Sequence, residues 1–244
     1  MPVCHERKLL FIHIPKNAGK YIEDRYGLSD YPGLEGNQKQ RSTLGNISRL
    51  LCKVDGRQRS SRQTLRGMLD LAVVGQHLSL SEILHLGLIG SEIESYKLVV
   101  SVRNPFTRIL SLYRHLVPRF ERSQLGFQDF AEKWPVSYNR SDIHNIHAFK
   151  KCQTHFIRDL DGNICDRFYI LRIENLSADM KKFEEKAGVS PVLNDLSPNA
   201  DRLQLPNKDN RQYDDLKIDA KVMKSTLNHY RSDFDAFGYN EIFA

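Results

Sequence analysis

A chain of 244 residues with 36 Lys and Arg against 30 Asp and Glu is long enough to bury one good core, and its net charge is +6. That length suggests a single domain over 1–244. No apolar run approaches membrane-spanning length and charged residues follow Met1 closely, which argues against an integral membrane segment and predicts a cytoplasmic protein.

The first element is the apolar run Leu9–Ile14, suited to a buried strand. Pro15 stops it, and Ala18-Gly19 let the backbone approach a ligand before a helix begins near Lys20. N–H groups at that helix start, together with Lys16 and Lys20, would attract an anion. The loop is not a Walker A motif, because Ile14 stands where its first glycine belongs and Tyr21 where its hydroxyl residue belongs. An ordinary strand-to-helix turn is the bland alternative.

Next, Gly36–Gly67 holds eight Lys and Arg (Lys39, Arg41, Arg49, Lys53, Arg57, Arg59, Arg62, Arg66) against Asp55 alone, a local charge of +7 that leaves −1 for the rest of the chain. It reads either as a basic, mobile flap that receives an anionic acceptor through residues such as Arg57, Arg59 and Arg62, or as a solvated insertion too polar to bury surface. No aromatic residue interrupts it, which argues against nucleic acid as the partner. The run Leu69–Val74 then predicts a buried strand, and His77 follows just beyond its end, where ligands of open parallel sheets collect. An unperturbed imidazole, with a pKa of about 6.5, suits general-base work, so His77 is the candidate base. It could instead merely flank the capping box Ser79-x-x-Glu82, which opens a helix around Ser81–Leu88.

The stretch Tyr96–Leu116, YKLVVSVRNPFTRILSLYRHL, is a buried strand running into a well-signalled helix. Asn104 is a good N-cap, Pro105 suits the first helical position, and Ile109, Leu112, Tyr113 and Leu116 recur at helical spacing. Arg103 at the strand end and Ser111 on the helix could converge on one anion. The helix dipole favours a cation at His115 in its last turn. His13 shares a strand face with Leu9 and Phe11, a core or site-lining position that makes it the fallback base. His144 and His147 lack a further ligand at metal-binding spacing, and no other spacing argues for a metal.

Cys4, Cys52, Cys152 and Cys165 are too few and scattered for a disulfide scaffold; Cys152 and Cys165 flank a turn at Asp161-Gly162, but free thiols are the expectation. A strand at Phe168–Ile173 ends in Arg172 and Glu174, which could pair with each other, orient Lys16 or bind an acceptor. Ser177 is expected to cap a helix that Gly188 ends, Leu196–Asn210 is a loop that carries Lys208, with Arg211 just beyond it, and a long helix covers about Arg211–Tyr230. Strands alternating with helices predict an α/β protein whose mostly parallel sheet is flanked by helices.

Together, FIHIPKNAGKY and VRNPFTRILSLY resemble the two nucleotide-binding motifs of sulfotransferases that use 3′-phosphoadenosine 5′-phosphosulfate (PAPS), most of all the carbohydrate sulfotransferases related to the heparan and chondroitin 2-O-enzymes. The likeness continues more weakly through Gln153–Phe183 and Tyr230–Tyr239. It implies a P-loop-NTPase-like three-layer fold, PAPS as donor without a metal, and transfer to a hydroxyl of a carbohydrate acceptor. In that family the first motif cradles the 5′-phosphosulfate, a role for Lys16, Asn17, Ala18, Gly19, Lys20 and Tyr21; the second holds the 3′-phosphate, a role for Arg103 and Ser111. Lys16 would stabilise the leaving oxygen, and the family's catalytic His falls in the region of His77. The family's loop tends to carry Thr and a small hydroxyl pair where Asn17 and Lys20-Tyr21 stand, so the Asn amide and a second cation would replace hydroxyl contacts. The alternatives are a nucleotide-dependent kinase, and a non-catalytic binder of anionic glycan or nucleic acid with a degenerate donor site.

Overall fold

The computed structural model describes residues 2–28, 77–85, 87–117, 121–122, 124–134, 136–138, 146–192 and 218–239. The expected strand Leu69–Val74, the basic segment Gly36–Gly67 with Arg57, Arg59 and Arg62, and Cys52, His144, Lys208 and Arg211 lie outside the described residues.

Four strands form one sheet in the order β1 (Val3–Cys4), β2 (Leu9–Ile12), β3 (Lys97–Val102), β4 (Phe168–Arg172). β1 runs antiparallel to β2, while β2, β3 and β4 are parallel, with Phe11 opposite Val99 and Val99 opposite Tyr169. Apolar residues fill β2 because both of its faces are covered, as a parallel sheet requires. Alternate side chains leave on opposite sides. Leu10 and Ile12 join Leu98 and Val100 in a core closed by Leu80 and Ile83 of α2 (Leu80–His85) and Phe156 of α6 (Gln153–Phe156). Leu9, Phe11 and Val99 face the other way, onto Ile22 and Tyr26 of α1 (Gly19–Tyr26) and Met180 and Phe183 of α7 (Leu176–Ala187). The fold is thus the expected α/β arrangement of a mostly parallel sheet between helices.

A third cluster lies where α3 (Pro105–Leu116), α4 (Phe127–Lys133), α5 (Ile146–Lys150) and α8 (Ala220–Phe237) meet. Trp134 is fully buried there and donates its indole N–H to the Tyr230 hydroxyl at 2.9 Å. Tyr230 itself leaves helical geometry (φ −106°, ψ 22°), so the last helix bends at that residue and continues to Phe237 rather than ending there.

Local signals translated unevenly. The capping box is complete: the Glu82 N–H reaches Ser79 Oγ at 3.3 Å and the Ser79 N–H reaches Glu82 Oε2 at 2.7 Å. Asn104 caps α3 by accepting the Phe106 N–H at 2.9 Å, with Pro105 first in the helix. Gly188 ends α7 in the left-handed conformation, but the helix starts two residues earlier than read, so Asn175 occupies the cap and Ser177 lies inside. Cys4, Cys152 and Cys165 are free thiols.

Candidate active site

Parallel pairing of β2 with β3 brings the segments that leave their C-terminal ends side by side. From β2 the chain turns through Lys16 (φ 71°) and Ala18 (φ 58°), both in the left-handed region without being glycine. Such residues cost about 1 kcal/mol each, and successive turns of this kind point backbone N–H groups into one concavity suited to an anion. Helix α1 opens there with no side chain capping it, so its first N–H groups aim into the same space. Gly19 is required for a separate reason. A Cβ built on it would lie 2.1 Å from His13 Nε2, because the His13 ring packs directly beneath the loop.

Arg103, at the end of β3, is buried and reaches across to this loop, donating from Nη1 to the Lys16 carbonyl at 3.4 Å and from Nε to Thr107 Oγ1 at 3.0 Å. Ser111 lies one turn beyond Thr107 on the same helix, so Arg103, Thr107 and Ser111 form a short polar row. Thr107 escaped the sequence reading. Two cations held so close raise the local potential: burial, and then the Arg103 charge, lower the affinity of the Lys16 amine for its proton. The site is electropositive. Arg108 completes its floor rather than its surface, giving its guanidinium to the carbonyls of Pro15 (3.3 Å), Phe149 (3.2 Å) and Lys151 (3.0 Å).

His77 stands beside the same loop. Its Nδ1 lies 2.8 Å from the His13 carbonyl, its ring meets that of His13 edge-on at 4.7 Å, and Phe149 flanks it at 6.3 Å. A carbonyl only accepts, so Nδ1 carries the proton and Nε2 keeps the lone pair. Burial above all, then His13, pushes the His77 pKa down to about 3, against a smaller raising effect from its bond to the His13 carbonyl. His77 is therefore neutral at working pH. His13 in turn pairs through Nδ1 with Glu23 Oε1 at 2.5 Å, both side chains buried.

These geometries belong with a match of the sulfotransferase family model to residues 1–240. The chain belongs to the sulfotransferase family. No curated protein and no solved structure matches it.

In this sulfotransferase the unusual loop residues make contacts within the chain. Asn17 is fully buried, and its Nδ2 donates to the Ser101 carbonyl (2.9 Å) and to Gln153 Oε1 (2.6 Å), so its amide fastens the loop from beneath. Lys20 pairs with Asp24 one turn along α1 and is largely exposed, and the Tyr21 ring packs in the core beside Phe11.

Other readings need revision. The dipole's preference for a cation at His115 is outweighed by burial and by Lys16, which lower its pKa. Arg172 and Glu174 do not pair. Arg172 donates to the Phe237 carbonyl at 3.1 Å, while Glu174 accepts the Asn104 N–H at 2.7 Å and the Tyr239 hydroxyl at 3.3 Å. Both tie the C-terminal segment to the strand ends. Among the described residues no helix is long and apolar enough to cross a membrane, and no group of three or more His, Cys, Asp or Glu could hold a metal.

Proposed function

We propose that this sulfotransferase moves a sulfuryl group from PAPS to a hydroxyl of a carbohydrate acceptor, with His77 as base. The observation that carries the reading is the convergence of two anion-binding segments: the loop Lys16–Tyr21 with its uncapped helix, and Arg103 reaching that loop from the next strand end. Their separation along the chain but adjacency in space suits a ligand with two phosphates. When bound, the donor supplies an activated sulfuryl group whose loss leaves a phosphate oxyanion. His77 Nε2 takes the acceptor's hydroxyl proton as the oxygen attacks sulfur. Lys16 and the N–H groups at the start of α1 hold the charge that develops on the leaving oxygen. Arg103 and Ser111 hold the 3′-phosphate.

A base with so low a resting pKa gains strength from what binds beside it, since an anion at the loop favours the imidazolium. The likeness of both motifs to those of carbohydrate sulfotransferases and the cationic stretch Gly36–Gly67 support an anionic glycan as acceptor.

Thermal unfolding with adenosine 3′,5′-bisphosphate, 5′-AMP and ATP with Mg²⁺ tests the donor, because a ligand bound only by the folded state raises the midpoint. A rise specific to the bisphosphate is expected; one confined to ATP would favour a kinase.

A further inference from the structure

Gln153 has no part in the chemistry above, yet it touches both anion-binding segments. It is fully buried, and its carboxamide has a partner in every direction. Oε1 accepts from Asn17 Nδ2 at 2.6 Å and from the Arg103 N–H at 2.9 Å; Nε2 donates to the Arg103 carbonyl at 2.8 Å and to Asp233 Oδ2 at 3.3 Å. The Arg103 peptide groups are thus gripped from both sides, and the same amide holds the loop that carries Lys16. A second strut runs parallel to it: Ser101 Oγ donates to the Asn17 carbonyl at 2.6 Å.

Asp233, also fully buried, anchors this bridge from α8. One of its oxygens accepts the Gln153 N–H at 2.8 Å, and the other accepts the Thr154 N–H at 2.9 Å and the Thr154 hydroxyl at 3.1 Å. With so many donors the buried carboxylate is well compensated. Gln153 can therefore neither rotate nor shift without breaking several directed bonds.

We propose that Gln153 is a positioning residue that fixes the spacing between the Lys16–Tyr21 loop and the Arg103 strand end, so that the two phosphates of one nucleotide bind cooperatively. The inference rests on the donor assignment above. Its physical basis is preorganisation: when one phosphate seats on either segment, a rigid bridge presents the other segment at the right distance with no further ordering cost. A residue that only filled space would affect stability and would leave this coupling untouched.

The test is calorimetric binding of adenosine 3′,5′-bisphosphate, 5′-AMP and 3′-AMP to the wild-type protein and to Gln153→Ala. The bisphosphate's advantage over the better monophosphate should shrink by about tenfold in the variant, while each monophosphate loses less than about threefold. An equal loss for all three ligands, or an undiminished advantage, overturns the proposal. If Gln153→Ala does not melt cooperatively, Asn17→Ala, which removes one link of the bridge, carries the same comparison. A wild-type protein that ignores the bisphosphate defeats the donor assignment and this inference with it; wild-type binding with unaltered coupling in the variants defeats the inference alone.

Discussion

Substituting His77 by Asn separates a buried neutral imidazole from an ordinary one, because Asn can still donate to the His13 carbonyl while carrying no titratable group. In the folded protein the His77 pKa is pushed down to about 3, chiefly by burial, whereas in the unfolded chain it returns to about 6.5. Above pH 6.5 neither state holds the proton and the group leaves stability unchanged. As pH falls below 6.5 the unfolded state takes up a proton that the folded state refuses, so stability is lost progressively down to about pH 3. At pH 5 the loss from this one residue amounts to about 2 kcal/mol. Urea unfolding at pH 7.5 and pH 5 measures it. The wild-type protein should lose about 2 kcal/mol more than His77→Asn over that interval, since His115 and His155, also lowered by burial, contribute equally to both. Equal losses in the two proteins would refute the argument, because His77 would then be free to ionise in the fold.

Two further substitutions probe the loop. Lys16→Met removes a half-buried cation that Arg103 repels, so the midpoint of unfolding should hold or rise while sulfuryl transfer, measured by product formation with a saturating acceptor, falls by about 10²–10³. Gly19→Ala forces a methyl group into the His13 ring, and both thermal stability and bisphosphate binding should fall together, whereas a variant of unchanged stability would show that the ring moves aside.

Much of the site was readable from short-range chemistry. The β2 strand, the stop at Pro15, the start of α1, the capping box at Ser79 and Glu82 and the Asn104-Pro105 opening of α3 depend on residues within a few positions of one another, and each formed close to where it was read. Side-chain direction was harder. Nothing in the local pattern tells whether Asn17 points at a ligand or downward, because the answer is set by Gln153, 136 residues away. An ion pair was one of the roles open to Arg172 and Glu174 by proximity along the chain, but β4 meets the C-terminal segment, and partners found there win over a neighbour two positions off. His115 shows the same conflict between a local rule and a tertiary fact, with desolvation exceeding the dipole. Gln153 and Thr107 carried no signal that one sequence could reveal.

The bond from Gln153 to Asp233 also dictates an order of assembly. The Lys16–Tyr21 loop, Arg103 and the strands that launch them precede residue 104, but the carboxylate that anchors their bridge arrives 80 residues after Gln153, on the helix that contains the bend at Tyr230. A nascent chain therefore has its sheet and both loops in hand before it has the clasp, and contacts so far apart in sequence form slowly because the intervening loop must first be closed. Under the proposed donor assignment, docking of the last helix would turn two adjacent loops into one site, and donor binding would report on a late step of folding.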